Sequence, residues 1–214
     1  MKQRIVLLGP PASGKGTQAE MIREKFRFET PSPGAILRRE KANGSPIGVE
    51  ADKFTSRGQL VPDELVVAVM RDWIEKHEAA FVLDGFPRTL GQADALEKIL
   101  AAHHSPIEAA VALDLDFKTI AERVARRMVC KTCGNIVGIG WHVGHHEAAC
   151  PRCGGTLERR KDDTLEVLEQ RMIEYREKSE PLISYYEQRR ILFRLDANRP
   201  AEEVFADIVE ILAA

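Results

Sequence analysis

Ile5-Val6-Leu7-Leu8-Gly9-Pro10-Pro11-Ala12-Ser13-Gly14-Lys15-Gly16-Thr17 passes from an apolar run, through a glycine-bounded turn, into a helical pattern. That order is what a phosphate-wrapping loop (P-loop) needs. Gly9 and Gly14 let the backbone curl round a phosphate chain, the free amides of the following helix attract its negative charge, and Lys15 adds a point charge on the outer phosphates. Gly9, Gly14, Lys15, Gly16 and Thr17 are therefore the expected nucleotide contacts, with the Thr17 hydroxyl offered to magnesium. A glycine-rich strand-to-helix turn without a ligand is the plainer alternative, and the lysine, the threonine and the flanking elements together weigh against it.

Outward from this loop, short β-like runs alternate with helical patterns, the signature of a parallel sheet covered by helices. Strands are expected at 5–8, 81–84, 111–115 and 191–195, and helices after Lys15, Thr89 and Phe117. A long helix is expected from Thr164 to Tyr186, with Leu165, Leu168, Met172 and Tyr175 spaced for one face. Two stretches break the alternation: Pro31 to Pro62, rich in turn residues, and the Gly/Cys/His-rich segment from Arg127 to Asp163. Both read as insertions over the carboxyl edge of the sheet, where open α/β sheets bind ligands. The 214 residues suffice for one main domain with such insertions.

Charge excludes several function classes. With 31 basic and 33 acidic residues the net charge is -2, which speaks against broad binding to nucleic acid or membrane surfaces. The first apolar run is too short for a signal peptide and no later run approaches a membrane span, so a cytoplasmic location is expected. All four cysteines fall in two close pairs, Cys130-Lys131-Thr132-Cys133 and Cys150-Pro151-Arg152-Cys153, separated by sixteen residues. In a reducing compartment this spacing reads as paired zinc knuckles. Four thiolates close a tetrahedral shell, so Cys130, Cys133, Cys150 and Cys153 would hold a structural Zn²⁺ and leave no open position for substrate. His142, His145 and His146, between the pairs, read as exposed loop residues.

Phe81-Val82-Leu83-Asp84 ends a strand in an aspartate and runs into Gly85-Phe86-Pro87-Arg88-Thr89. Asp84 can hold magnesium through water beside the P-loop, or simply cap the turn, and the fork of Arg88 suits a second phosphate.

Gly9–Thr17 with Gln18, Leu60-Val61-Pro62-Asp63-Glu64-Leu65-Val66, Asp84–Thr89 with Gln92, and Arg160-Lys161-Asp162-Asp163 together resemble adenylate kinase of the long, zinc-containing bacterial type. The resemblance spans nearly the whole chain. It implies reversible phosphoryl transfer from MgATP to AMP giving two ADP, by a monomer. It also implies three parts: a P-loop core (1–31, 62–125 and 164–214), a small helical acceptor-binding insertion (32–61) and a zinc-ribbon-like lid (126–163). Carried over by position, Lys15 is the P-loop lysine, Arg38 and Arg88 are ligands of the AMP phosphate, Gln92 is an adenine contact, and Val61 and Gly85 belong to the acceptor-binding segments. Arg123, Arg127, Arg160 and Arg171 close on the transferring phosphates, Asp162 and Asp163 orient them, and Arg199 lies in the adenine-binding loop of ATP. The expected catalytic set is Lys15, Asp84, Arg88, Arg123, Arg160 and Arg171. A solvated face remains the reading for Arg126, Arg159, Arg189 and Arg190.

Departures from that pattern keep other readings open. Ser32-Pro33-Gly34-Ala35 stands where the family usually has Ser-Thr-Gly-Asp, which removes a hydroxyl, a backbone donor and a carboxylate. In the lid, Val137 replaces a common tyrosine and Trp141 falls at an aromatic position. A kinase for another nucleoside monophosphate (UMP or CMP), a nucleotide sensor with weakened transfer, and a zinc-ribbon nucleic-acid module on an NTPase are the alternatives. The gathered cations weigh against a mere binder, and the charge balance against nucleic acid.

Overall fold

Alternation within a single strand sorts the interior into two layers. In the computed structural model, which describes residues 1–57, 59–77, 79–138, 149–159 and 163–214, strand β1 (Arg4–Leu8) points Val6 and Leu8 to one side of a sheet and Ile5 and Leu7 to the other. All four are buried, because helices cover both faces. On the first face Val6 and Leu8 join Phe81 and Leu83 of β2 (Phe81–Asp84) and Ala110 and Ala112 of β3 (Ala109–Asp114). Leu37 of α2 (Pro33–Ala42), Ala51 of α3 (Pro46–Thr55), Met70 of α4 (Asp63–Lys76) and Leu96 of α5 (Leu90–Ala102) pack over them. On the second face Val82, Val111 and Leu113 meet Ile22 of α1 (Lys15–Phe26) and Ile208 of α9 (Ala201–Ala213).

The four strands are all parallel in the order β2-β1-β3-β7, with β7 spanning Leu192–Asp196. The chain leaves β1 toward β2 and then returns across it to β3. That reversal opens a crevice at the carboxyl ends of β1 and β3, where the P-loop sits. Glu29 runs beside β2, its amide donating to Ala80 O at 2.9 Å and its carbonyl accepting from Val82 N at 2.8 Å. Expected and observed strands agree to within two residues at each end.

Between Thr164 and Tyr186 the structure departs from the single helix expected. Helix α7 (Leu165–Glu174) passes into a π-helical turn at Tyr175–Ser179 and then into α8 (Pro181–Gln188). Pro181 has no amide proton and its ring would strike the carbonyl four residues back; the ladder widens instead, with Glu180 N–H donating to Tyr175 O at 2.8 Å. The expected apolar face is also narrower: Leu168 and Met172 pack with Ile120 and Val124 of α6 (Phe117–Arg126), whereas Leu165, the first helical residue, is exposed.

The cysteine-bearing stretch forms its own antiparallel sheet, β5-β4-β6, from Arg127–Cys130 (β4), Ile136–Gly138 (β5) and Leu157–Glu158 (β6). Among the described residues no helix is long and apolar enough to cross a membrane.

Candidate active site and cysteine cluster

Gly9 occupies a position where only hydrogen fits. A Cβ there would lie 2.8 Å from both Leu113 O and Ser13 Oγ, so the loop turns tightly against β3. Lys15 folds back into the loop, its ammonium donating to Gly9 O (2.7 Å), Pro10 O (2.8 Å) and Ser13 Oγ (3.1 Å). Burial pushes this ammonium down to about 8, with the Asp84 carboxylate opposing the shift and Arg88 and Arg127 adding to it. Asp84 reaches the loop because β2 and β1 pair in register, Leu7 opposite Asp84. The P-loop residue turned toward that carboxylate is Gly16, whose Cβ position lies 3.5 Å from Asp84 Oδ2; Thr17 is exposed one step further round α1.

A cleft of about 1180 Å³ runs from this loop across the carboxyl edge of the sheet. Of the residues singled out from sequence, Gly9, Gly14, Lys15, Gly16, Thr17, Arg38, Asp84, Gly85, Arg88, Arg123, Arg127, Arg171 and Arg199 line it. Val61 and Gln92 lie behind it, both buried. Arg160 falls outside the described residues, as do Asp162, Trp141 and the three histidines between the cysteine pairs.

Five of the lining arginines have partners within the protein. Arg123 spans two loops, donating to Ser13 O at 3.1 Å and to Ala197 O at 2.6 Å; its partial burial lowers its pKa from the usual guanidinium value. Arg127 grips both oxygens of the buried Asp163 carboxylate, with Nε 2.7 Å from Oδ2, and Arg171 Nη1 stands 3.9 Å from the same carboxylate. One acid thus holds two cations of the cleft. Arg88 donates from Nε to Gly85 O at 2.8 Å, and Arg199 is ion-paired with Asp207.

Sequence reading missed several residues at this edge. Arg126, read as a solvated charge, is exposed and stands at the lining of the cleft. Lys41 and Asp52, a 2.7 Å ion pair between α2 and α3, line it too. Gln18 ties α1 to the first residue of α9 through Nε2 to Ala201 O at 2.9 Å. The bond of Gln18 and the Lys41–Asp52 pair join separate elements, Gln18 across 183 residues, and no local pattern announces them.

The four cysteine sulfurs lie within 4.8 Å of one another, with Cys130 and Cys153 at 3.4 Å and Cys133 and Cys150 at 3.6 Å. Metal–sulfur bonds of about 2.3 Å in a tetrahedron would put the sulfurs about 3.8 Å apart, so the cage fits a thiophilic ion. The two knuckles are alike: Gly134 N–H donates to Cys130 O at 2.9 Å and Gly154 N–H to Cys150 O at 2.8 Å. Hydrogen bonds from the backbone, first that of Cys133, pull the Cys130 thiol down to about 6, toward the ligating thiolate.

Cations gathered over a phosphate-wrapping loop at the carboxyl edge of a parallel sheet are the equipment of a P-loop phosphotransferase. Residues 7–191 match the family model described as Adenylate kinase. The chain is 41% identical over 212 residues to the adenylate kinase of Clostridium tetani, covering 98% of each. Identity to the adenylate kinase of Thermodesulfovibrio yellowstonii is 38% over 211 residues, again 98% of each. For that of Clostridium perfringens it is 36% over 216 residues, 100% of this chain and 99% of the relative. The chain belongs to the adenylate kinase family.

Proposed function

We propose that the protein transfers the terminal phosphoryl group of MgATP reversibly to AMP, giving two ADP, in line and with no covalent enzyme intermediate. The observation that carries this is the continuity of one cleft from Lys15 and Asp84 to Arg88, Arg123, Arg127 and Arg171. Phosphoryl transfer asks little covalent chemistry of a protein and much charge neutralisation, and one well-placed arginine is worth about 10³ to 10⁵ in rate. In this reading Lys15 and the P-loop amides hold the donor phosphates. Arg88 and Arg38 hold the acceptor phosphate, and Arg123, Arg127, Arg160 and Arg171 neutralise the charge that develops between them. The Asp84 carboxylate, beside Gly16, fits a magnesium shell; magnesium bound with ATP supplies further positive charge on its phosphates.

The division into core, acceptor insertion (32–61) and lid (126–163) belongs to the same reading. The four cysteines hold a structural zinc that stiffens a lid too small for a hydrophobic core, and lid closure keeps out water that would hydrolyse ATP. The protein works as a cytoplasmic monomer, without nucleic-acid or membrane partners. Pro33 sits at the first position of α2, where its missing N–H costs nothing and its fixed φ suits the helix, so the departure at Ser32-Pro33-Gly34-Ala35 has a structural reason at Pro33.

Diphosphate formation from MgATP with AMP, UMP, CMP, GMP or dAMP tests the proposal. Fast transfer to AMP is expected, with Lys15→Met abolishing it while the metal content of the protein stays unchanged. Preference for UMP or CMP would move the acceptor specificity to the 32–61 insertion, and silence with all five would leave a nucleotide sensor.

A further inference from the structure

Asp63 is the first residue of α4, directly after the 32–61 insertion, and does not line the cleft. Its two oxygens nevertheless dictate a chain of hydrogen bonds that ends at Arg88. Thr89 Oγ1 donates to Asp63 Oδ2 at 2.5 Å, and Gln92 Nε2 donates to Asp63 Oδ1 at 2.8 Å. Thr89 Oγ1 in turn accepts from Gln92 N–H at 3.1 Å, which caps α5. Gln92 Oε1 accepts the backbone N–H of Arg88 at 2.8 Å.

The polarity of this chain has one source. An ionised carboxylate only accepts, so Thr89 must give its proton to Asp63 and Gln92 must turn its NH₂ toward it. That leaves Gln92 Oε1 as the acceptor for Arg88. Without Asp63 the amide could rotate by half a turn and set its own N–H groups against the Arg88 amide. Gln92 is 2% exposed, so water cannot correct such a mismatch. The far side of Arg88 is pinned as well: Ser179 Oγ, at the end of the π-helical turn, donates to Arg88 O at 2.8 Å.

We propose that Asp63 is a positioning residue for the acceptor nucleotide, acting through Thr89 and Gln92 to fix the turn that carries Arg88. The proposal rests on the reading of Arg88 as a ligand of the acceptor phosphate. The simpler role for an acid at this place is to complement the amino end of α4, which would affect stability and not substrate preference. The two roles separate in the kinetics of the enzyme.

Asp63→Ala is expected to raise the KM for AMP about tenfold and to leave the KM for ATP within about twofold, since a displaced turn misplaces only one of the two phosphates. Thr89→Val should raise it in the same direction and Thr89→Ser should restore it. The double variant Asp63→Ala with Thr89→Val should be no worse than Asp63→Ala alone, because both break one chain. A lower melting temperature with the KM for AMP unchanged, or an equal rise in both KM values, would overturn the proposal. If Asp63→Ala fails to fold, Thr89→Val leaves the charge at α4 in place and decides the matter by the same KM ratio. Wild-type enzyme that ignored AMP would defeat the proposed function and not this inference; the preferred monophosphate would then replace AMP in the measurement.

Discussion

At Lys15 burial and function pull against each other. The ammonium must be charged to meet phosphate, yet its surroundings push it down to about 8, against 10.5 for an ordinary lysine. Between those two values the unfolded chain binds the proton and the folded one does not, so stability rises with pH across that window; below 8 both states are protonated and the burial penalty is present in full. ATP binding has the opposite sign. Phosphates require the charged form, so above pH 8 binding must take up a proton and the Kd for ATP should rise by up to about tenfold per pH unit. Calorimetric titration from pH 7 to 9.5 reads this directly, and a flat profile would mean that Lys15 does not meet the phosphates as a cation. The residues of this conflict were legible: Lys15, Asp84 and Arg88 stand in short motifs whose chemistry depends on neighbours in the chain. Asp63 was not, since its partner Gln92 lies 29 residues away and nothing in the spacing links the two.

Among the elements, α2 and α3 cross most revealingly. A Cβ on Gly48 would overlap the Lys41 and Glu40 backbone, lying 2.6 Å from Lys41 Cα and nearer still to Lys41 N, so the two helices touch backbone to backbone. Side chains at the far end could move aside; main chain cannot. Gly48→Ala should therefore cost about 3 kcal/mol, at the upper end for overpacking, and splay the pair of helices that lines the end of the cleft proposed for the acceptor. The thermal midpoint and the KM for AMP measure the two effects, and an unchanged midpoint would show that the helices can slide apart. The contact also explains why Ser45 and Pro46 start α3 so abruptly: Ser45 Oγ accepts from Gly48 N–H at 3.3 Å, which sets the first turn where the glycine must land. Helix content in this insertion could be read from its caps. The π-helical turn could have been read as well, because Pro181 stood in the middle of the expected helix, but apolar spacing alone carries no record of a missing donor.

Taken whole, the molecule joins a parallel sheet to the small cysteine-bearing one, and two of the contacts between them reach α1. Arg152, between the second pair of cysteines, reaches Glu20 on α1 at 3.1 Å, and Ile136 of β5 comes near Gly16. A small sheet of this kind has little core of its own, and a metal in its cage would contribute much of its folding energy, about 10 to 16 kcal/mol in units that size. Chelation should therefore lower the melting temperature before it touches the rate; loss of rate with an unchanged melting curve, followed alongside metal content, would point to a catalytic ion. The alternation of strands and helices, the phosphate loop and the two cysteine pairs were all readable from the chain alone, because each is written in consecutive residues or in short spacings. Which cations share the cleft, and what holds them, emerges from the folded arrangement. Arg123 meets Ser13 and Ala197, which are 110 and 74 residues away, and Arg127 meets Asp163 after the whole cysteine-bearing stretch has intervened. Such pairs form where strand order and helix packing bring distant segments to one edge, and local sequence has no period that encodes them.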